Sequence, residues 1–290
     1  MENTFNKFTL FQTINDYNHC IYLLKDNRIA SGSDSGKILI YNPSKNYIRD
    51  QTINTPLYSN ITSICQLDNG TIVSGSNDKS ICIGDYVIKQ AHDSYIYQVI
   101  AISNNRIASS SADCRLKIWN GESPSETPIK VLLQKEIMPV VSIFYLKEKD
   151  FLLSCSKNLI LRVWNMSTYQ LVTVMTDAYC LDINGMYQID KKRMIIGYLN
   201  SFYILNIDSF KVEKVEYNMD LGNVNCFLKL RDNKTIFCGG SFICDINSKK
   251  YQIKKYDDED HKSDIRYIMR IDDRTFITCN ADKVIHIWKY

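Results

Sequence analysis

His92 and Asp113 are the residue types of an acid–base pair, an imidazole to move a proton and a carboxylate to orient it. The ten cysteines, running from Cys20 to Cys279, include no CxxC pair, and only four histidines accompany them. Structural zinc therefore lacks its ligand spacing, and no metal or other cofactor is expected. Several cysteines lie inside apolar runs, where a free thiol behaves as a small hydrophobe. Reduced, buried thiols in a cytoplasmic or nuclear protein are the expectation. The strongest charge cluster, "KKYDDEDHKSD" at 254–264, could attract a basic partner or simply be solvated. "GESPSETP" at 121–128 sets hydroxyls beside prolines, as a phosphorylation site or a solvent loop would.

These residues must be positioned by a scaffold that 290 residues can build as one large domain or two ordinary ones. Apolar content of 45% and charged content of 23% are those of a globular chain. A net charge of +3, with no basic run longer than the "KKR" at 191–193, gives no nucleic-acid-binding composition. "MENTFNKFTLFQTIND" lacks the basic and then apolar regions of a signal peptide, and no window approaches 18 apolar residues.

One stretch repeats. "RIASSSADCRLKIWN" at 106–120 recurs as "RIASGSDSGKILIYN" at 28–42, "TIVSGSNDKSICIGD" at 71–85 and "FLLSCSKNLILRVWN" at 151–165. It recurs again, less legibly, at 193–207, 235–247 and 275–289. Ser31, Ser74, Ser109, Ser154, Ile196, Cys238 and Thr278 mark the copies at spacings of 43, 35, 45, 42, 42 and 40. Each copy follows another short apolar segment, and all but the last precede one. The unit is four short strands separated by Asn-, Asp- and Gly-bearing turns. Helical periodicity is absent, so the chain reads as all-β.

Seven four-stranded units form one closed ring or two sandwiches, and the regular period favours the ring, which gives every sheet two neighbours. The last unit stops after its third strand, at "VIHIWKY", while "KFTLFQTI" at 7–14 stands before the first unit. A ring shut by pairing these ends accounts for both. The expected blades are 15–55, 56–91, 92–136, 137–177, 178–218, 219–258, and 259–290 with 7–14, residues 1–14 being the closing strand.

The residues of these units resemble the WD-repeat (WD40) family, from about Phe8 to Tyr290. The resemblance implies a seven-bladed WD40-type β-propeller. It also implies a hydrogen-bonded network in each blade: a His before the innermost strand, a Ser or Thr in the second strand, an Asp in the next turn, and a Trp ending the third. Carried over, blade three supplies His92, Ser109, Asp113 and Trp119, with Ala91 in place of the usual glycine and Asn120 in place of the terminal aspartate. Blade seven supplies His261, Thr278, Asp282 and Trp288. Blade four keeps Ser154 and Trp164, with Asn158 at the acidic position. Blade two keeps Ser74 and Asp78 but has Gly84 where tryptophan belongs. Blade one keeps Ser31 and puts Tyr41 in the tryptophan place, with Asp34 one residue early and His19 out of register. Leu205 and Cys244 hold the approximate tryptophan positions of blades five and six, whose register is the least defined. The resemblance assigns His92 and Asp113 to a fastener rather than to catalysis.

The resemblance further implies a partner-binding face formed by the loops before the innermost strands and those between second and third strands. Tyr17, Asp34, Tyr58, Tyr95, Lys157, Tyr179 and Asn200 are the candidate contacts there, with Tyr22 and Tyr97 further in. Tyrosine suits interface cores, but also ordinary packing. Asp16, Asp34, Asp93, Asp220 and Asp264 against Lys157 and Lys262 lean the face mildly acidic, toward a basic peptide rather than a phosphopeptide. The expected function is a non-catalytic scaffold or adaptor for proteins or peptides, a subunit of a larger complex. A phosphoinositide- or nucleic-acid-binding module is the alternative, although the arginine clusters that grip phosphates are missing. A propeller enzyme is the third reading, for which the innermost strands offer Asp182 as a lone carboxylate.

Overall fold

Runs rich in Ile, Val, Leu, Tyr and Phe, too short for stable helices and bounded by Asn, Asp and Gly, extend and pair. A computed structural model describes residues 8–16, 18–132, 138–157, 160–176, 185–198, 201–215, 224–230, 234–247, 253–256 and 263–289. Among these, 28 strands form seven antiparallel sheets of four. In six sheets the strands lie in chain order, as in blade three: Ile96–Ile102, Arg106–Ser111, Leu116–Asn120 and Lys130–Leu132. The seventh joins Ile265–Arg270, Thr275–Asn280 and Ile285–Lys289 to Thr9–Ile14 from the other end of the chain. Thr9 faces Lys289 and Ile14 faces Ile285. The ring is closed by the pairing that the orphan strand implied.

The innermost strands, Asn18–Leu23, Ile61–Gln66, Ile96–Ile102, Val140–Leu146, Gly185–Gln188, Val224–Lys229 and Ile265–Arg270, touch one another in chain order, and the last touches the first. Seven apolar clusters fill the seven spaces between neighbouring blades. Each sheet is thus buried on both faces, which is why its second and third strands carry apolar or small residues at consecutive positions rather than in strict alternation. Each fully buried Ile, Leu, Val or Phe contributes about 1.5–3 kcal/mol, against about 0.5–1.5 kcal/mol for a hydrogen bond. Packing between blades outweighs any fastener within one.

Close packing leaves a signature in the second strands. Gly32, Gly75, Ser110, Cys155, Gly197, Cys238 and Cys279 hold one register position. A Cβ on Gly32 would stand 2.7 Å from Ile61 Cγ2, and one on Gly197 2.5 Å from the Val224 carbonyl oxygen. The inner strand of the next blade presses here, so only small side chains fit. Three of the cysteines occupy the place for that reason.

A second repeated feature aims side chains at the axis. The inner strands of six blades carry a register shift one residue from their start, at His19, Thr62, Tyr97, Val141, Asn225 and Arg266. Such bulges turn a side chain out of the ladder. The turn between second and third strands likewise repeats a left-handed residue: Gly36, Lys79, Cys114 and Lys283, at φ of 74, 77, 67 and 70°. In three of these turns an aspartate precedes it; in blade one Ser35 does, which leaves Asp34 one residue early.

Candidate functional site

Blade three builds its network from four different segments. Trp119 Nε1–H donates to Ser109 Oγ at 2.8 Å, and Ser109 lies 2.7 Å from His92 Nε2. His92 Nδ1 lies 2.8 Å from Asp113 Oδ2, which also accepts from the Asp93 backbone N–H at 3.0 Å. One proton assignment satisfies every member: tryptophan to serine, serine to imidazole, imidazole to carboxylate. Burial would raise the Asp113 carboxyl, but the bonds from His92, Asp93 and Arg115 outweigh it and hold the group down at about 2. Burial pushes the His92 imidazole below its usual value, against the pull of Asp113. His92, Ser109 and Trp119 are fully enclosed. No substrate could reach a proton there, so the arrangement fastens loop, turn and two strands.

The other blades keep parts of it. Trp164 donates to Ser154 at 2.9 Å, and Trp288 to Thr278 at 3.0 Å. Asp282 caps its turn through the Val284 N–H at 3.4 Å, while His261 and Asn158 lie outside the described residues. In blade one Tyr41 donates to Asp16 at 2.7 Å, and Ser31 to Asn18 Oδ1 at 2.5 Å, so Asn18 does a histidine's work. In blade two Gly84 sits in a tight hairpin turn at φ 57°, Leu57 is buried, and Ser74 Oγ has no partner although Ser74 is 1% exposed. Asp78 still accepts from the Tyr58 N–H at 2.7 Å. Blade five replaces the network with Ile196 and Leu205 packed against blade four. In blade six spacing selected Cys238 and Cys244, but the strand register puts Phe237 and position 246 in those places. Phe237 instead packs on Phe202 and Phe227, with ring centroids 5.5 and 6.1 Å away. A hydrophobic run in which every residue is buried gives no hint of a one-residue offset.

The channel down the axis holds a cavity of about 560 Å³. The bulged residues Tyr97, Val141, Asn225 and Arg266 line it, together with Asp264 and Cys226. Among the described residues none of blade one lines it, and Tyr267 reaches past that blade and donates to the Thr62 carbonyl of blade two at 3.0 Å. Asn225 and Thr62 bond the next blade's inner strand, to the carbonyls of Ile265 at 2.8 Å and Ile96 at 2.7 Å. Sequence reasoning missed Arg266, Asn225 and Tyr267 as channel residues. Their signal was positional: each lies one or two residues inside the start of an inner strand.

Around the mouth, Tyr58 is 87% exposed, Tyr95 43% and Met138 45%, on loops of three successive blades. The Tyr95 and Tyr97 hydroxyls are 3.2 Å apart and their rings meet edge to face at 5.1 Å, so Tyr95 is braced from within. Tyr22 packs instead between blades one and two and between two and three, away from this face. Lys157 is exposed. Asp93 pairs with Arg115 at 2.6 Å, and Asp34 bridges His19 and Lys283, the latter at 2.6 Å. Burial chiefly lowers the His19 imidazole, Asp34 opposing and Lys283 and Arg266 reinforcing. Tyr17, Tyr179, Asn200, Asp182, Asp220 and Lys262 lie outside the described residues. No group of three or more His, Cys, Asp or Glu that could hold a metal occurs among the described residues. Burial pushes the Cys20 and Cys65 thiols up to about 12.

The sequence matches the family described as WD domain, G-beta repeat, over residues 51–85 and 86–120. Each matched segment takes in outer-strand residues of one blade and the first three strands of the next, the stagger that leaves one strand over to close a ring. No curated protein matches. Among solved structures, the β-propeller domain of Cps50 (Swd1) from Myceliophteria thermophila superposes with a TM-score of 0.82 at 13% identity, covering 98% of this chain and 99% of that one. The WD40 β-propeller domain of Doa1 does so with a TM-score of 0.77 at 14% identity, covering 98% of each. At such identities the likeness is one of fold.

Proposed function

We propose that this chain, a seven-bladed β-propeller with two segments that match the WD domain, G-beta repeat family, is a non-catalytic interaction scaffold, holding a protein or peptide over the channel mouth as a subunit of a larger complex. The observation that carries this reading is the arc of Tyr58, Tyr95 and Met138, exposed on one face beside a cavity of about 560 Å³. Large, partly rigid side chains around a concavity are what an interface core needs. Asp264, at the cavity, offers a carboxylate to a basic residue of the partner, and Arg266 beside it a guanidinium to an acidic one. We place the protein in the cytoplasm or nucleus, a reading supported by nine described cysteines that form no disulfide.

Affinity purification from the native cell, with wild type and a Tyr58→Ala, Tyr95→Ala, Met138→Ala variant, tests the proposal. Wild type should return a stoichiometric protein partner that the variant loses at an unchanged melting temperature. Bare monomer from wild type, or a partner that the variant keeps, overturns the reading.

A further inference from the structure

Cysteine recurs at the crowded small-residue position of the second strands, yet in blade six the residue facing it is also cysteine. Cys226 stands directly opposite Cys238 in antiparallel register. At the equivalent pairs stand Cys20 and Gly32, Ser63 and Gly75, Gln98 and Ser110, Ser142 and Cys155, Gly185 and Gly197, and Tyr267 and Cys279. Blade six alone has two thiols. Both pack in the apolar cluster between blades six and seven. The Cys226 side chain lies close enough to that of Cys238 to raise its thiol. Directly opposed residues have Cβ atoms about 4.5–5.5 Å apart, and a disulfide needs about 3.5–4.5 Å, so a closure of roughly 1 Å suffices.

The two thiols differ in access. Cys238 is 0% exposed, whereas Cys226 is partly exposed and lines the channel cavity, which has room for a molecule of peroxide size. Arg266 lines the same cavity and adds a positively charged residue to its wall. Burial, and then contact with Cys226, keeps the Cys238 thiol protonated.

We propose that Cys226 and Cys238 are a redox modification site, a dithiol that a peroxide entering through the channel converts to a cross-strand disulfide. The Cys226 thiolate attacks one peroxide oxygen; an S–O bond forms, the O–O bond breaks, and hydroxide leaves and takes up a proton as water. Cys238 then attacks the sulfenic sulfur; the S–S bond forms, the S–O bond breaks, and the hydroxyl leaves with the Cys238 proton as a second water. Two thiols are oxidised and one peroxide is reduced. The product ties the inner strand of blade six to its second strand, in the blade whose Ser/Thr position is held by Phe237. A thiol reductant restores the dithiol.

Mild hydrogen peroxide treatment of the full chain, followed by alkylation under denaturing conditions and peptide mapping, tests this. The expected product is a linked peptide pair carrying Cys226 and Cys238, lighter by two hydrogens and restored by dithiothreitol. Partly exposed Cys114, which faces no second cysteine among the described strand pairs, serves as the internal comparison. Cys238→Ala should accumulate a dimedone-reactive sulfenic acid at Cys226, while Cys226→Ser should leave Cys238 fully alkylated. Wild-type mapping needs no variant to fold. Free thiols at both positions when Cys114 is already oxidised, or Cys226 found as sulfinic acid or joined to another cysteine, overturns the proposal.

Discussion

At the scale of single residues, a buried hydroxyl is worth what its partners make it worth. Ser109 Oγ accepts from Trp119 and donates to His92, so Ser109→Ala strands an indole N–H and an imidazole nitrogen. Ser74 holds the same position in blade two with no partner. We expect Ser109→Ala to cost about 2 kcal/mol or more, and Ser74→Ala to lie within about 0.5 kcal/mol of wild type or to stabilise it, as urea unfolding would read. Equal losses would contradict the network. The carboxylate of the same network gives a pH dependence. Asp113 titrates at about 2 in the folded chain against 3.8 for the free group, so the native state favours the ionised form. Its contribution of about 2 kcal/mol is present above pH 4 and is lost as pH falls from about 4 to about 2. His92, also depressed, adds a loss that begins as pH falls below 6.5. Unfolding free energies measured from pH 7 to 2 should show the lower step in wild type and not in Asp113→Asn.

At the scale of elements, one seam cannot be made locally. Thr9–Ile14 pairs with Ile285–Lys289 across almost the entire sequence and buries Ile14 against blade one. Deleting residues 1–14 exposes the edge of Ile285–Lys289 and opens that cluster, so the melting temperature should fall by many degrees or the protein should not fold. An unchanged melting temperature would rule out this closure. The contrast with blades five and six shows why the family pattern fades without harm. There Ile196, Leu205 and Phe237 bury apolar surface at positions where blade three spends a hydrogen-bonded network. Transfer of such groups from water stabilises as much as the network does and needs no exact geometry.

At the scale of the whole molecule, a closed ring has no privileged starting point. Thr9 and Lys289 are paired neighbours, and the loop at 121–128 is largely exposed and lies outside the strands. A circular permutant that joins the ends through residues 1–7 and opens at that loop should fold with an unchanged near-ultraviolet spectrum and a single unfolding transition. Loss of the spectrum would show that the ring depends on where the chain begins.

The sequence by itself determined the strand content, the seven units and the closing strand, because side-chain period, turn chemistry and repeat spacing are local properties written along the chain. It also identified Ser109, Asp113 and Trp119, whose types are distinctive. Only the tertiary structure decided which residues face the axis. Arg266 and Asn225 reach the channel through a one-residue bulge, and a bulge depends on how the next blade presses, which no single strand records. The same holds for Cys226 and Cys238, twelve residues apart in sequence and opposed in space by the register of two strands. Register is set by packing against neighbours on both faces, so it belongs to the assembled ring.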